Sequence, residues 1–91
     1  MKKEKYTFML FIAGGEPNST QARDNLSKIC KTHLIDRFEV EVIDVLQNFE
    51  TALKYGIFIT PTLLLVSPEP KVTVYGNLHE TSKIIQALRL G

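Results

Sequence analysis

The stretch Y-T-F-M-L-F-I-A at residues 6–13 is the segment that decides the fold, because it is almost entirely apolar and rich in aromatic residues. A run this short, with no polar face, is typical of a strand that is covered on both sides. Gly14-Gly15 follow directly and end the run. We therefore predict a central strand over residues 6–13 and place the other elements around it.

The residues after the central strand predict a helix. Pro17 opens it, and either Asn18 or Ser19 can cap it, because their side-chain oxygens accept from free N–H groups of the first turn. The apolar residues that follow recur at helical spacing and predict one buried face, formed by Ala22, Leu26, Ile29, Cys30 and Leu34.

A second strand is predicted over residues 38–45, F-E-V-E-V-I-D-V. Successive side chains of a strand point to opposite faces. We therefore expect two sets, with Phe38, Val40 and Val42 on one face and Glu39 and Glu41 on the other. The first half of this strand should be exposed on its acidic face, which favours an edge position. The carboxylates of Glu39, Glu41 and Asp44 are interpreted as a solvated face.

A short second helix should follow, capped by Asn48. Phe49, Ala52 and Leu53 are expected to face inward, and Gly56 suits a left-handed stop after the helix.

The C-terminal half predicts a hairpin and a last helix. Residues 63–66 read as a buried strand with Pro61 at its start, because proline cannot donate in the middle of a ladder. Residues 67–70, S-P-E-P, are of types that favour a turn. Polar and apolar residues alternate over residues 71–75, which predicts a fourth strand. A helix is expected over residues 79–90, with Ile84, Ile85 and Leu88 on one face.

The predicted order is β-α-β-α-β-β-α. Alternation of strands and helices implies parallel pairing in the first part, and the hairpin is antiparallel. The fold class is therefore α/β, with a mixed four-stranded sheet and helices on both faces, as in thioredoxin. Proteins of that architecture have a cis-proline before the third strand, and Thr60-Pro61 falls at that place. Residues 1–91 are treated as a single domain.

The chemistry of a thioredoxin-type oxidoreductase is missing. Such an enzyme needs a thiolate at the N-terminus of its first helix, where the helix dipole lowers the thiol pKa. Residues 14–19 contain no Cys. The single Cys30 falls in mid-helix, where we expect core packing, and Ser19 has no base beside it in sequence. No catalytic residue is predicted.

Composition excludes further classes. Eleven Lys and Arg against ten Asp and Glu give a net charge of +1, whereas nucleic-acid binding usually needs a basic patch. No apolar run approaches the ~20 residues of a membrane span, so a cytoplasmic protein is expected. Cys30, His33 and His79 are a poor ligand set, because zinc takes three or four clustered ligands. Neither a metal nor a cofactor is predicted.

Several stretches together resemble the KaiB family of clock proteins. They are residues 6–14, Pro17-Asn18-Ser19, residues 42–46, residues 60–63 and Gly76-Asn77-Leu78. Each is short, but their order and spacing extend over almost the whole chain. The same domain is similar to the sensory domain of the clock-associated histidine kinase SasA.

The resemblance implies a function and a second fold. KaiB proteins bind the N-terminal ATPase ring of KaiC and, in cyanobacterial clocks, sequester KaiA; they have no catalytic site. Members also switch folds. A ground-state form, often a tetramer, rearranges the C-terminal half, while a thioredoxin-like form binds KaiC. Two such packings differ by only a few kcal/mol. The KaiB ground-state fold is therefore the alternative fold for this chain, and a homo-dimer or tetramer is the oligomer to consider.

The resemblance also suggests site residues. Pro61, Pro68 and Pro70 match prolines of the rearranging region, and Gly76-Asn77 stands where cyanobacterial members have a Gly-Asp pair that influences the fold balance. Phe38, Glu39 and Glu41 match an aromatic, a small and a basic position involved in KaiC contact. Because the last two are acidic here, the partner surface should differ from the cyanobacterial one.

Three candidate functions follow from the sequence. The first is a KaiB-like regulator that binds a KaiC-type hexameric ATPase in circadian timing or stress adaptation, with KaiA-like or histidine-kinase proteins as further partners. The second is a SasA-like adaptor fixed in the thioredoxin-like state. The third is a thiol- or glutathione-linked enzyme, against which the missing Cys pair counts.

Overall fold

A computed structural model describes residues 4–90 of the chain. Its elements, in chain order, are β1 (Tyr6–Ile12), α1 (Pro17–His33), β2 (Phe38–Asp44), α2 (Phe49–Lys54), β3 (Thr62–Ser67), β4 (Val72–Tyr75) and α3 (Thr81–Ala87). The predicted order β-α-β-α-β-β-α is confirmed. Residues 1–3 and 91 of the predicted domain lie outside the described residues.

The four strands form one mixed sheet in the order β2-β1-β3-β4. β1 pairs in parallel with β2 and antiparallel with β3, and β3 pairs antiparallel with β4. The central position of β1 and the edge position of β2 were both predicted. The parallel pair requires a crossover, and α1 supplies it.

Helices cover both faces of the sheet, because alternate residues of β1 point to opposite sides. On the side that we call the α1 side, Phe8, Leu10 and Ile12 pack with the buried face of α1 and with residues of β3 and α3. On the opposite α2 side, Met9 and Phe11 pack with Ile43 and Ala52. All five residues predicted for the buried face of the first helix are buried.

The N-terminus of α1 is capped by a residue that the sequence did not indicate. The Glu16 carboxylate accepts from the backbone N–H of Asn18 at 3.0 and 3.1 Å and from that of Ser19 at 3.3 Å. The predicted caps, Asn18 and Ser19, were wrong, because Pro17 already occupies the first turn of the helix. Ser19 is buried, and its Oγ accepts from the backbone N–H of Ala13 at 3.1 Å.

α2 faces the sheet with only one of the three residues predicted to point inward. Ala52 is buried, whereas Phe49 is 64% and Leu53 50% exposed. The helix has six residues and approaches the sheet through its small side chain, which leaves the large ones outside. Asn48 precedes the helix as predicted, but its side chain makes no cap hydrogen bond. Gly56 has a φ of +69°, as its predicted stop position requires.

α3 is shorter than the predicted helix over residues 79–90 and is anchored at both ends. Leu78 is buried before it, and Ile84 and Leu88 are buried within and after it. At the C-terminus, Arg89 adopts a φ of +58° and the N–H of Leu90 donates to the carbonyl of Ile85 at 2.9 Å. This is a Schellman-type end, which stops the helix before residue 90.

Candidate docking surfaces

The N-terminus of α1, where thioredoxin-type enzymes hold their nucleophile, is capped here by the Glu16 carboxylate. Besides Glu16, the side chain of Asp44 accepts from the N–H groups of Gly14 at 3.1 Å and Leu46 at 3.0 Å. Together the two carboxylates fix the loops at the carboxyl ends of β1 and β2. No thiol lies in this region of the described chain.

Cys30 lies in the core, as predicted, and is fully buried. Burial raises the pKa of its thiol from 9.0 to about 11. The reactive form of a cysteine is the thiolate, and apolar burial disfavours it. This side chain therefore acts as a small apolar packing group.

Two findings concern other classes of site. Among residues 4–90, no three His, Cys, Asp or Glu side chains are grouped closely enough to hold a metal ion. In the same part of the chain, no helix combines the length and the apolar character needed to cross a membrane.

The predicted contact residues Phe38, Glu39 and Glu41 lie at the start of the edge strand but not on one face. Phe38 is half-buried against the core on the α1 side. Glu41 pairs with Met9, which belongs to the α2-side core, so Glu41 is on the α2 side, together with Glu39 two residues away. Both glutamates are exposed. The Nζ of Lys5 lies 3.8 Å from Glu39, an exposed pair that contributes little.

The α1 side of the same edge forms a shallow groove of about 190 Å³. Phe38, Val40 and Val42 line it from β2, and Arg23 and Ser27 line it from α1. Val42 remains 41% exposed within it. The edge strand therefore presents an apolar face on one side and an acidic face on the other.

A larger apolar surface was missed by the sequence analysis. Six of the nine large apolar side chains that are exposed among residues 4–90 fall within residues 46–59. We call them the α2 surface, and they are Leu46, Phe49, Leu53, Tyr55, Phe58 and Ile59. The most exposed, Phe58, is 83% accessible. Large apolar side chains left exposed together in one segment are typical of sites of interaction with other proteins.

The backbone that carries the α2 surface is held in place by hydrogen bonds. The N–H of Gly56 donates to the carbonyl of Leu53 at 3.1 Å, and the N–H of Ile57 donates to that of Ala52 at 2.9 Å. Ile57 packs on the α2-side core, and Thr62 Oγ1 donates to the carbonyl of Ile59. Phe58 and Ile59 are thus fixed facing outward between two anchored residues.

Leu46 joins the α2 surface to the carboxyl end of β1. Its N–H is held by Asp44, and its side chain lies against Gly14, where an added Cβ would come 3.4 Å from Leu46 Cδ1. Gly14 has a φ of +54°, a conformation that favours glycine. Leu46 is 73% exposed on this support.

The predicted fold-switch positions lie at the two ends of the β3–β4 hairpin. The peptide bonds before Pro61, Pro68 and Pro70 are cis, and the cis-proline predicted before the third strand is thereby confirmed at Pro61. Pro68 and Pro70 are in the turn of the hairpin. Gly76, with a φ of +101°, ends β4 at the same end of the sheet as Pro61, to whose carbonyl its N–H donates at 3.0 Å.

Asn77 is the centre of a polar network between the β4–α3 connection and α1. Its Nδ2 donates to Gln21 Oε1 at 2.8 Å, and its Oδ1 accepts from the N–H of His79 at 3.1 Å. Its carbonyl accepts from Asn25 Nδ2 at 2.8 Å. These bonds attach the C-terminal segment to α1 in the thioredoxin-like arrangement.

Comparisons with known proteins agree on family and on fold. The family model of the KaiB domain matches residues 9–90. The circadian clock oscillator protein KaiB of Picosynechococcus is 38% identical over 88 residues, which are 97% of this chain and 85% of that protein. The circadian clock protein KaiB3 of Synechocystis is 34% identical over 88 residues, which are 97% of this chain and 86% of that protein.

Solved structures show the same fold at lower identity. The N-terminal domain of SasA from Synechococcus elongatus aligns with a TM-score of 0.76 at 18% identity, covering 98% of this chain and 88% of that one. A thioredoxin of Fasciola hepatica aligns with a TM-score of 0.74 at 23% identity, covering 98% and 84%. Both likenesses concern the fold alone, and they confirm the predicted thioredoxin-like class.

Proposed function

The chain belongs to the KaiB family of circadian clock proteins, and from that premise we propose that it is a non-catalytic regulator that binds a KaiC-type hexameric ATPase, in circadian timing or stress adaptation. It acts as a single domain over residues 1–91, in the cytoplasm. KaiA-like and histidine-kinase proteins are its further partners.

The α2 surface is the observation that carries the proposal. The three aromatic side chains can each bury roughly 150–250 Å², and the six residues are between 43% and 83% exposed. Their combined apolar area is roughly 700 Å², which is above the usual patch of a monomer and close to one side of a standard interface. A globular protein partner of ordinary size fits such a surface better than a small ligand does.

Glu39 and Glu41 extend the docking face. They lie on the same side of the sheet as α2, so a partner seated on the α2 surface meets their carboxylates at its margin. Such marginal charges mainly govern the association rate and the choice of partner. The partner's margin is therefore expected to be basic. Phe38, which faces the α1-side groove, contributes by packing under the edge strand.

The non-catalytic part of the proposal is supported by the caps at the N-terminus of α1. The Glu16 carboxylate already accepts from the N–H groups of Asn18 and Ser19, which would lower the pKa of a thiol there, and the one Cys is buried with a raised pKa. A thiol- or glutathione-linked enzyme is therefore the least supported reading. Turnover in an insulin-reduction assay would reverse it.

Fold switching is proposed for the C-terminal half. Leu78 and Arg89, which flank α3, have φ values of +65° and +58°. A left-handed backbone costs a residue other than glycine on the order of 1 kcal/mol. Two such positions around a seven-residue helix reduce the stability of this arrangement relative to an alternative one.

A SasA-like adaptor fixed in one state is the second candidate. The Asn77 network favours it, because it attaches the β4–α3 connection to α1 through the hydrogen bonds of Asn77 with Gln21 and Asn25. Heteronuclear NMR separates the two candidates. Two sets of amide signals for residues 62–90, with exchange between them, support switching, whereas one set under all conditions supports the fixed adaptor.

The binding test uses the KaiC-type ATPase of the same organism, titrated with purified protein in the presence of ATP. Ile59→Ala should weaken binding about tenfold, as expected for a buried interface side chain. Ile35→Ala is the matched control, because Ile35 is exposed to 67%, against 59% for Ile59, but lies outside the α2 surface. Absence of any complex after long incubation would overturn the proposal.

A further inference from the structure

We propose that the cleft between α1 and α3 binds a phosphate group, either the free ion or the phosphate of a small monoester. The cleft has a volume of about 140 Å³, the space of roughly four or five water molecules in the liquid. Pockets for drug-sized ligands begin at roughly 300 Å³. The cleft therefore has room for a phosphate group with few further atoms.

Most side chains that line the cleft carry hydrogen-bonding groups. They come from one face of α1, on which residues three and four apart are neighbours, and from the first residue of α3. The lining residues are Asn25, Lys28, Ile29, Thr32, His33 and Thr81. Only Ile29 is apolar, and it is buried. This described lining contains no Asp or Glu, so a bound anion meets no carboxylate in it.

Lys28 is the cation of the site. Its side chain is exposed, and among residues 4–90 it forms no ion pair, although Asp24 lies four residues before it on the same helix, at a spacing that permits one. On α3, the carboxylate of Glu80 is already paired with Lys83, at 3.2 Å. The ammonium of Lys28 therefore remains available to an anion, and lysine binds phosphate as a point charge.

Hydroxyl and imidazole groups complete the site. Thr32 and His33 line the cleft from the last turn of α1, and Thr81 lines it from α3. A hydroxyl donates one O–H, and an imidazole ring donates at least one N–H. Donors of this kind around a lysine suit a phosphate, whose ionised oxygens accept hydrogen bonds.

Asn25 holds the two walls of the cleft together without a ligand. Its Nδ2 donates to the carbonyl of Asn77 at 2.8 Å, so the segment before α3 is already attached to α1. A phosphate in contact with Lys28 on one wall and Thr81 on the other would add a second connection. The ligand should therefore stabilise the attachment of α3 to α1.

This stabilisation has a measurable size. A ligand that binds only while both walls are in place reduces the population of the open form by a factor of one plus the ratio of its concentration to its dissociation constant. The amides of Ile84 and Leu88 are hydrogen-bonded within α3. At a phosphate concentration ten times the dissociation constant, their hydrogen exchange should slow about tenfold.

NMR titration of the full chain with sodium phosphate, at an ionic strength held constant with sodium chloride, tests the site. The amide signals of Lys28, Thr32 and Thr81 should shift and saturate. Lys28→Gln removes the charge and Thr81→Val removes the hydroxyl, and each should weaken binding about tenfold. Lys31→Gln, the same change at an exposed residue of α1 outside the cleft, is the matched control and should weaken binding less than about twofold.

A parallel titration with glycerol phosphate distinguishes the two sources of the phosphate group. Saturable binding that is tighter than that of the free ion supports a monoester site, and saturable binding that is equal or weaker supports a site for the ion. Shifts that do not saturate, or that Lys28→Gln and Lys31→Gln reduce alike, overturn the proposal. Unchanged exchange of the α3 amides at saturating phosphate overturns the connection between the helices, whether or not the ATPase binds.

Discussion

The two sides of the central sheet differ in how completely their apolar side chains are buried and how firmly their helices are fixed. On the α1 side, two helices bury Phe8 and Leu10 almost completely, and a cap and a polar network fix the ends of the elements. On the α2 side, one six-residue helix without a side-chain cap covers Phe11, and the large residues around it face solvent. The first side therefore contains most of the buried core, and the second leaves large apolar side chains exposed.

This difference agrees with the small size of the domain, which has 91 residues. A small domain cannot bury all its apolar side chains, because its surface is large for its volume. Here the unburied ones are concentrated in residues 46–59 instead of being scattered. Mutations on the two sides should therefore affect different properties, and the following experiments test that separation.

The largest effect is expected from a leucine of the α1 side. Leu26→Ala removes a side chain that is 2% exposed and leaves a cavity, so the free energy of unfolding should fall by about 3 kcal/mol in urea titrations. Leu46→Ala is the matched control on the α2 side, where Leu46 is 73% exposed, and should change stability by less than about 0.5 kcal/mol. Equal losses of unfolding free energy in the two variants would contradict the proposed difference between the two sides of the sheet.

The next effect is a dependence on pH. Burial raises the pKa of Cys30 from 9.0 to about 11, so the folded chain keeps this proton while the unfolded chain loses it. Stability is therefore fully present below pH 9 and falls as the pH rises towards 11, by about 2 kcal/mol, at roughly 1.4 kcal/mol per pKa unit. Cys30→Ala should lack this loss. If the unfolding free energies of the two proteins changed in parallel with pH, the loss could not be assigned to Cys30.

Asn77→Ala should destabilise the fold by about 1 kcal/mol, because it removes the hydrogen bonds to Gln21 and to the N–H of His79. Hydrogen exchange of the α3 amides should accelerate in this variant. Asn48→Ala is the control, since the Asn48 side chain reaches only the carbonyl of Asp44, at 3.5 Å. A larger loss of stability in Asn48→Ala than in Asn77→Ala would show that the α2 side is held more firmly than the α1 side.

The smallest effect concerns the helix caps. Glu16→Ala removes the carboxylate that accepts from two N–H groups of α1 and should cost about 0.5–1 kcal/mol by urea titration. Glu50→Ala, in the first turn of α2, removes no cap hydrogen bond and should cost less than half as much. A larger loss from Glu50→Ala would show that α2 depends on its first turn more than its geometry indicates.

Much of the fold could be predicted from the sequence because its α1 side follows local rules. The period of the α1 residues, the apolar run of β1 and the place of Pro61 each agree with the tertiary arrangement. The cap at Glu16 could not be predicted in this way, because Glu is not among the preferred capping residues. Glu16 can act as the cap only because of the backbone path between Gly14 and Pro17.

The exposure of the α2 surface was not predicted, for a physical reason. Apolar residues at helical spacing normally predict a buried face, and Phe49 and Leu53 follow that pattern. In this chain Ala52 packs on the sheet, whereas Phe49 and Leu53 on either side of it remain exposed. A second feature of the sequence indicates the same surface. Phe58-Ile59 lie directly before Thr60-Pro61, between the second helix and the third strand, where no helix or strand would bury their side chains.

Docking of a partner on the α2 side can be tested by methyl cross-saturation NMR. Labelled protein would be bound to the unlabelled KaiC-type ATPase of the same organism. We expect strong signal loss at the methyl groups of Leu46, Leu53 and Ile59 and little at Ile35 and Ile85. Signal loss concentrated at Ile35 and Ile85, with the α2 surface unaffected, would contradict it.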